Sequence, residues 1–137
     1  MSQVDEQYSS AKPRAVRYAK NVGVTVPLAT TDTILEMVGL DMETQFCFAV
    51  TPAVHAFDAC TIAVKFHADG PYVTIASIAT DYTSPTGLMV KASASLVTLA
   101  SGTTGWAIVN ITGVCAVRVQ ASAATGAGTA DIYASAR

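Results

Sequence analysis

The chain has 137 residues and a formal net charge of −2, and its 13% of charged residues is about half the usual share. This length allows one compact domain, with or without a short arm, and the acidic balance disfavours a protein whose main task is to grip nucleic acid. Ala, Thr and Val are the commonest residues whereas Leu, Lys and Glu are scarce, so the composition favours β-strands over helices.

Residues 1–20 differ from the rest of the chain in charge and pattern. They carry a net charge of +2, whereas residues 21–137 carry −4. They lack a long apolar periodicity, and Pro13 interrupts any helix that begins before it. We therefore expect an extended N-terminal arm over residues 1–20, ordered only against a partner, and a single domain over residues 21–137.

The domain shows short β-rich runs separated by turn residues, and these predict about eight strands. In the clearest run, residues 57–67, every second side chain is apolar, and residues 114–121 show the same period of two. The six side chains that we expect in one shared core are Cys60, Ile62, Val64, Phe66, Val117 and Val119. The alternating Val22, Val24 and Val26 predict one face of an earlier strand.

The turn signal Asp69-Gly70-Pro71 lies between two of these runs, so residues 57–67 and 72–78 are predicted to pair as a hairpin or as adjacent strands. Several short strands at such spacing indicate an all-β fold, a β-sandwich of jelly-roll-like type. The longest unbroken hydrophobic run, residues 46–50, is too short for a membrane span, and the start of the chain lacks the layout of a signal peptide. We expect a soluble protein.

Few residues suggest chemistry. The sequence lacks nucleophile-elbow, phosphate-loop and HExxH motifs. Its candidate metal pairs are His55 with Asp58, and His67 with Asp69. The favoured interpretation places His67 on the outward face of its strand beside a turn, Asp69 at the start of that turn and Asp58 at the start of the preceding strand. The acidic pair Asp41 and Glu43 is expected in a solvated loop. We therefore predict no metal, no cofactor and no enzymatic activity.

The three cysteines are Cys47, Cys60 and Cys115, an odd number without CxxC spacing, which favours buried free thiols over a disulfide framework or a zinc site. The aromatic residues of the predicted strands are expected in the core: Phe46, Phe48, Phe57, Phe66 and Trp106. The arm differs, because its tyrosines flank basic residues and could dock on an acidic or apolar partner surface. The predicted partner-binding residues are Tyr8, Lys12, Arg14, Arg17 and Tyr18.

The second half of the chain resembles small structural proteins of tailed-bacteriophage particles. The segments that carry the resemblance are AFDA at 56–59, DGPYVT at 69–74, DYTSPTGL at 81–88, TGW at 104–106 and VRVQASA at 117–123. The resemblance implies a β-sandwich virion protein in the manner of head-decoration (cement) proteins, which sit on an assembled capsid and often act as trimers.

These observations favour a non-enzymatic capsid decoration protein, made in the host cytoplasm and located on the capsid surface of the virion. Its expected partners are further copies of itself, in a homotrimer, and the major capsid protein or neighbouring virion proteins, without direct contact to nucleic acid or membrane. Another head or tail component remains an alternative. So does a carbohydrate-binding jelly-roll module, which requires exposed aromatic residues such as Tyr72, Tyr82 and Tyr133, and so does a small hydrolase or metal-dependent sandwich enzyme.

Overall fold

Alternating apolar and polar side chains produce strands throughout the part of the chain that the structure, a computed structural model, describes: residues 16–77, 89–92 and 99–137. The strands are β1 (Arg17–Val26), β2 (Asp32–Val38), β3 (Gln45–Pro52), β4 (Phe57–Lys65), β5 (Val73–Ser77), β6 (Met89–Ala92), β7 (Gly105–Asn110), β8 (Ala116–Ala123) and β9 (Gly128–Ala136). Within these ranges no helix is long and apolar enough to cross a membrane.

The strands form two antiparallel sheets. One sheet has five strands in the order β1-β9-β3-β7-β6, and the other has four in the order β2-β8-β4-β5. Apart from β6 the pairs are nested, since β1 pairs with β9, β2 with β8, β3 with β7 and β4 with β5, and successive pairs alternate between the sheets. This is the winding of a jelly roll. The predicted all-β sandwich of jelly-roll type is confirmed, as is the predicted pairing of β4 with β5.

One hydrophobic core lies between the sheets. The five-stranded sheet supplies, among others, Phe46, Phe48, Val109 and Ile132, and the four-stranded sheet supplies Leu35, Met37 and the predicted Cys60, Ile62, Val64, Val117 and Val119. The prediction for the sixth core residue, Phe66, is wrong, because its side chain is 57% exposed. The reason is that β4 ends at Lys65, so Phe66 lies in a bend and leaves the alternation of the strand.

The first strand begins inside the segment that was expected to be an arm. Arg17 pairs with Ala136 and Lys20 pairs with Tyr133, so residues 17–20 form a regular edge strand against β9. The predicted boundary at residue 20 is corrected to this extent, because the backbone of β9 supplies hydrogen-bond partners that apolar periodicity does not reveal. Residues 1–15 lie outside the described residues, and the prediction of an extended arm stands for them alone.

A bulge divides β1 and changes the direction of its side chains. The register with β9 shifts between Asn21 and Val24, and Gly23 adopts a φ of 67°, a left-handed conformation that favours glycine. The Gly23 amide donates a hydrogen bond of 2.8 Å to the Asp131 carboxylate. Val22 is therefore exposed, although the sequence pattern placed it on one face with Val24 and the buried Val26.

Candidate binding face of the five-stranded sheet

The outer side of the five-stranded sheet carries exposed aromatic side chains and, on β1, β9, β3 and β7, little charge. Because side chains alternate along a strand, the residues next to the buried ones on β1, β9, β3 and β7 point away from the core. We refer to this surface as the aromatic face, and its described side chains are Tyr18, Lys20, Gln45, Cys47, Ala49, Thr51, Trp106, Ile108, Asn110, Asp131, Tyr133 and Ser135. Lys20 and Asp131 are the charged members of this set.

Two large rings stand in one row of the aromatic face. Ala49 on the central strand pairs with Tyr133 on one side and with Trp106 on the other. The α-carbons of Tyr133 and Trp106 are thus two strand spacings apart, about 9.6 Å. Tyr133 is 53% exposed and Trp106 is 36% exposed. The row therefore presents two accessible rings that flank a single methyl group.

The neighbouring row adds a third exposed ring at the edge of the sheet. Ser135 pairs with Tyr18 on β1 and with Cys47 on β3, and Tyr18 is 77% exposed. A surface depression of about 310 Å³ lies here, lined by Tyr18, Ala19, Lys20, Tyr133 and Ala134. The edge of the aromatic face is thus concave between the tyrosines of β1 and β9.

Trp106 was expected in the core, and this expectation is wrong. Its neighbours Gly105 and Ala107 are both buried, and Ala107 pairs with Phe48 of β3. The large Phe48 fills the core opposite the small Ala107, which leaves Trp106 on the outer side. Phe46, Phe48 and Phe57 are buried as predicted. Both sides of β7 are apolar in sequence, so periodicity alone does not identify the inner one.

The three cysteines are free, but they occupy different environments. Cys60 and Cys115 are buried as predicted, and burial raises the pKa of the Cys60 thiol to about 12. Cys47 instead lies half-buried on the aromatic face, with its Sγ 3.7 Å from Oε1 of Gln45. Partial burial raises the pKa of the Cys47 thiol, while the nearby Arg137 and a hydrogen bond with Ser135 act in the opposite direction.

The outer side of the four-stranded sheet is built differently. The guanidinium carbon of Arg118 lies 4.1 Å from the centroid of the Tyr72 ring, and the Lys65 ammonium nitrogen lies 5.1 Å from it. The Tyr72 hydroxyl donates a hydrogen bond to the Glu36 carboxylate. We refer to Glu36, Lys65, Tyr72 and Arg118 as the Tyr72 cluster. It spans the sheet, because Glu36 lies on β2, Arg118 on β8 and Lys65 on β4, while Tyr72 directly precedes β5.

The cluster changes the properties of the groups within it. Burial, followed by the hydrogen bond to Glu36, raises the pKa of Tyr72 well above its ordinary value. Nε of Arg118 is buried and has no hydrogen-bond acceptor. The sequence analysis considered Tyr72 only as an exposed sugar-binding candidate, whereas the structure shows it half-buried and engaged with charged neighbours. The neighbours of Tyr72 lie on strands that are far apart in sequence, so no spacing of residues in the sequence predicts the Tyr72 cluster.

The predicted partner-binding residues are divided by the structure. Tyr8, Lys12 and Arg14 lie outside the described residues, and Tyr18 lies on the aromatic face. Arg17 points to the opposite side of β1, where its Nη1 donates a hydrogen bond of 2.7 Å to the Gly39 carbonyl oxygen and lies 4.0 Å from the Glu43 carboxylate. Arg17 thus fastens the edge strand to the segment that follows β2, although its side chain stays partly exposed.

Glu43 also departs from its expected position. The side chains of Asp41 and Glu43 were predicted to lie in a solvated loop, and Asp41 is exposed. Glu43 is buried beside Arg17 instead. A buried carboxylate requires compensation, which the partly exposed guanidinium provides in part.

The two histidines considered as metal ligands have local structural partners. His55 Nδ1 lies 3.1 Å from Thr125 Oγ1, and its ring packs so closely on Gly126 that an added β-carbon there would lie 2.8 Å from Nε2. His67 Nδ1 accepts a hydrogen bond of 3.0 Å from the Asp69 amide within a turn. Over residues 16–77, 89–92 and 99–137, no group of three or more His, Cys, Asp or Glu side chains could hold a metal ion.

The fold defines a class of protein, the jelly-roll β-sandwiches. No family model matches the sequence, and no curated protein matches it. Among solved structures, the chain is similar to the SPBc2 prophage-derived protein YomS, with a TM-score of 0.50 and 10% identity over 90% of this chain and 97% of that one. It also matches a structure of infectious bursal disease virus, Gx strain, with a TM-score of 0.45 and 12% identity over 89% of this chain and 32% of that one. At 10% identity, the similarity to YomS concerns the fold alone.

Proposed function

We propose that this protein is a non-enzymatic structural protein of a virion, specifically a decoration protein of a tailed-bacteriophage head. The observation that carries the proposal is the jelly-roll fold, which matches a prophage-derived protein over nearly the whole of both chains. Jelly rolls recur in viral capsid proteins, and the sequence resemblance of residues 55–137 to head-decoration proteins points to the same role.

In this proposal the protein forms a homotrimer on the capsid surface and contacts the major capsid protein. The small share of charged residues suits burial of its surface against neighbours, because each buried charge must otherwise be paired. Tyr18, which is exposed, follows directly after the segment that contains Tyr8, Lys12 and Arg14. We propose that this segment and Tyr18 bind the partner, with the basic groups facing carboxylates and the tyrosines supplying apolar contact.

A truncation tests attachment, and the structure decides where to cut. Deletion of residues 2–15 removes Tyr8, Lys12 and Arg14 but leaves β1 intact, whereas a cut after residue 20 would remove four residues that pair with β9. Both proteins are mixed with purified phage heads that lack the endogenous copy, and co-sedimentation is measured. The full chain is expected to bind, and the truncated chain to bind about tenfold more weakly or worse. Circular dichroism verifies that the truncated body stays folded.

Two outcomes contradict different parts of the proposal. If the full chain does not bind the heads and mass spectrometry finds none of it in purified wild-type virions, the decoration role is wrong. If the truncated chain binds as well as the full one, the decoration role stands and the N-terminal segment is not its tether. The variant Lys65→Ala is a matched control, because it removes one positive charge from the sandwich and none from the segment.

A further inference from the structure

The aromatic face has a geometry that suits a ligand made of regularly spaced flat rings. Tyr133 and Trp106 project from strands on either side of β3, in register with Ala49, so a shallow floor lies between their rings. Both rings are accessible to a ligand. Hydroxyl side chains border this row, with Thr51 next to Ala49 on β3 and Ser135 next to Tyr133 on β9, both at outward positions of the strands.

From this arrangement we propose that the aromatic face binds a neutral β-1,4-linked glycan whose sugar rings stack on Tyr133 and Trp106. One face of a hexose ring in such a glycan consists largely of C–H groups and packs on an aromatic ring, while its hydroxyls project sideways and require polar partners. The row supplies the rings and its borders supply the polar partners. This binding activity goes beyond the virion role proposed above and does not depend on it.

The spacing of the strands that carry the two rings favours one linkage. In an extended β-1,4-linked chain, successive sugars are turned over, so alternate sugars present the same face to a surface. The distance of about 9.6 Å between the strands that carry Tyr133 and Trp106 is close to this two-sugar repeat. The intermediate sugar would then lie over Ala49, whose small side chain leaves room for it. A glycan bound in this way runs across the strands rather than along them.

The charge of the face selects a neutral ligand. The outward side chains of β3 and β7 are all uncharged in the described residues: Gln45, Cys47, Ala49, Thr51, Trp106, Ile108 and Asn110. Asp131 is engaged by the Gly23 amide, and Lys20 stands at the end of the row beyond Tyr133. Lys20 and Arg137, whose guanidinium lies 3.5 Å from Ser135 Oγ, stand at the margins of the described face. The row between the two rings carries no charge, so a neutral glycan loses no charge solvation there.

The face fits a glycan better than a protein partner because its large rings are separated by small side chains. Protein interfaces are organised around a contiguous, closely packed apolar centre. Here Ala49 separates Tyr133 from Trp106. The rings therefore act as separate stacking plates. A second copy of the chain on this face is the competing occupant, and the experiment distinguishes the two.

Trp106 is the single tryptophan of the chain, so its fluorescence reports on the aromatic face alone. The full-length protein is titrated with a β-1,4-linked glucose hexasaccharide and with a β-1,4-linked N-acetylglucosamine hexasaccharide. An α-1,6-linked glucose hexasaccharide, whose rings are not held in the same repeat, serves as the linkage control. A saturable change in Trp106 emission is expected with at least one β-1,4-linked probe, and a much smaller one with the α-1,6-linked probe.

Variants locate the binding site, with calorimetry as the readout where the fluorophore is lost. Tyr133→Ala is expected to weaken binding by about tenfold or more, whereas Tyr133→Phe, which keeps the ring, retains it. Trp106→Ala is expected to abolish binding, and Trp106→Phe to restore part of it. Phe66→Ala is the matched control, because it removes an exposed ring outside the aromatic face and is expected to leave the affinity unchanged.

Three results would overturn the proposal. The first is the absence of saturable binding to either β-1,4-linked probe. The second is full affinity in Tyr133→Ala, or a loss in Phe66→Ala that equals the loss in Tyr133→Ala. The third is a change of Trp106 emission with protein concentration alone, accompanied by a larger sedimenting species, because a second copy would then cover the face. Head binding by the full-length chain is measured separately, so the decoration proposal is judged independently.

Discussion

On the outer side of the four-stranded sheet, Tyr72 lies over Arg118 and bonds to Glu36, whereas on the outer side of the five-stranded sheet Tyr133 keeps half of its surface in solvent. Two alanines show the same contrast. Ala63 on β4 pairs with Arg118 and is 1% exposed, while Ala49 on β3 pairs with Tyr133 and is only half-buried.

The difference arises from the neighbours and not from the strands themselves. Long charged side chains surround Tyr72, and they can fold over a ring and a small residue to close the surface. Tyr133 has Lys20 on one side and the methyl of Ala49 on the other, so nothing comparable covers it. An outward aromatic residue is therefore structural on one sheet and available for binding on the other.

The largest expected effect separates the inner and outer sides of the five-stranded sheet. Phe48→Ala should reduce the free energy of unfolding by about 3–5 kcal/mol, because it opens a cavity in the core opposite Ala107. Trp106→Ala, on the outer side of the adjacent position, should cost less, about 1–2 kcal/mol, because 36% of the Trp106 side chain is already exposed. Urea denaturation measures both. Equal losses would mean that the Trp106 ring is packed rather than accessible, and the contrast between the two faces would fail.

Phe66→Ala, like Trp106→Ala, replaces an aromatic residue that was expected in the core but is exposed. The sequence pattern placed Phe66 in the core, where truncation would cost as much as at Phe48. Because its side chain is exposed beyond the end of β4, the expected cost is below about 1 kcal/mol. A loss of several kcal/mol in urea denaturation would restore the core assignment.

Period-two alternation predicted what depends on a single strand. It identified the inward side of β4 and of β8, including Ile62 and Val119, because one buried face repeats every second residue. It failed at Phe66, where the strand ends, and at Val22, where the bulge at Gly23 shifts the register. Neither a strand end nor a bulge changes the apolar pattern, so the sequence carries no signal for them.

Predictions failed more widely where a property depends on distant strands. Trp106 is exposed because Ala107 faces Phe48, and Tyr72 is covered because Glu36 and Arg118 lie beside it. These neighbours are brought together by the nested strand pairs of the jelly roll. The number and spacing of the predicted strands indicated a jelly-roll fold. They did not indicate which strands pair with each other, apart from β4 with β5. The sequence therefore did not predict the aromatic face, except that Tyr133 was named as an exposed residue in the alternative sugar-binding function.

An intermediate effect is expected within the Tyr72 cluster. Tyr72→Ala removes the ring stacked on Arg118 and the hydrogen bond to Glu36, and should cost about 1–3 kcal/mol. Tyr133→Ala is the matched control on the aromatic face and should change stability by less than about 0.5 kcal/mol. Thermal and urea unfolding of both variants test this. Equal stabilities of the two variants would show that the Tyr72 cluster contributes no more than an exposed ring.

A smaller effect is expected in the alkaline pH dependence of stability. The pKa of Tyr72 is raised in the folded state, so between the ordinary tyrosine pKa of about 10 and the raised value the unfolded chain binds fewer protons than the folded one. The contribution of Tyr72 is therefore complete below about pH 10 and is lost as the pH rises through the folded pKa. The stability of Tyr72→Phe should fall less steeply above pH 10 than that of the natural chain. Parallel curves would contradict the raised pKa of Tyr72 in the folded state.

The smallest expected effect on the fold, and the most direct measure of access to the aromatic face, comes from the thiols. Cys47 is half-buried on that face while Cys60 and Cys115 are buried, so a maleimide should modify one thiol per native chain and three after unfolding. Because burial raises the pKa of Cys47, its modification should be slower than that of an unfolded cysteine at the same pH.

The variant Cys47→Ser identifies the thiol that reacts in the folded chain. In this variant the folded chain should not be modified, and Cys60 and Cys115 should react only on unfolding. A saturating glycan should slow the reaction, because Cys47 lies one row from the stacking rings. Complete protection of Cys47 without any ligand would mean that the face is covered in solution. Both outer surfaces would then be covered. The outer side of the four-stranded sheet would be covered by its own charged side chains, and the aromatic face by a partner.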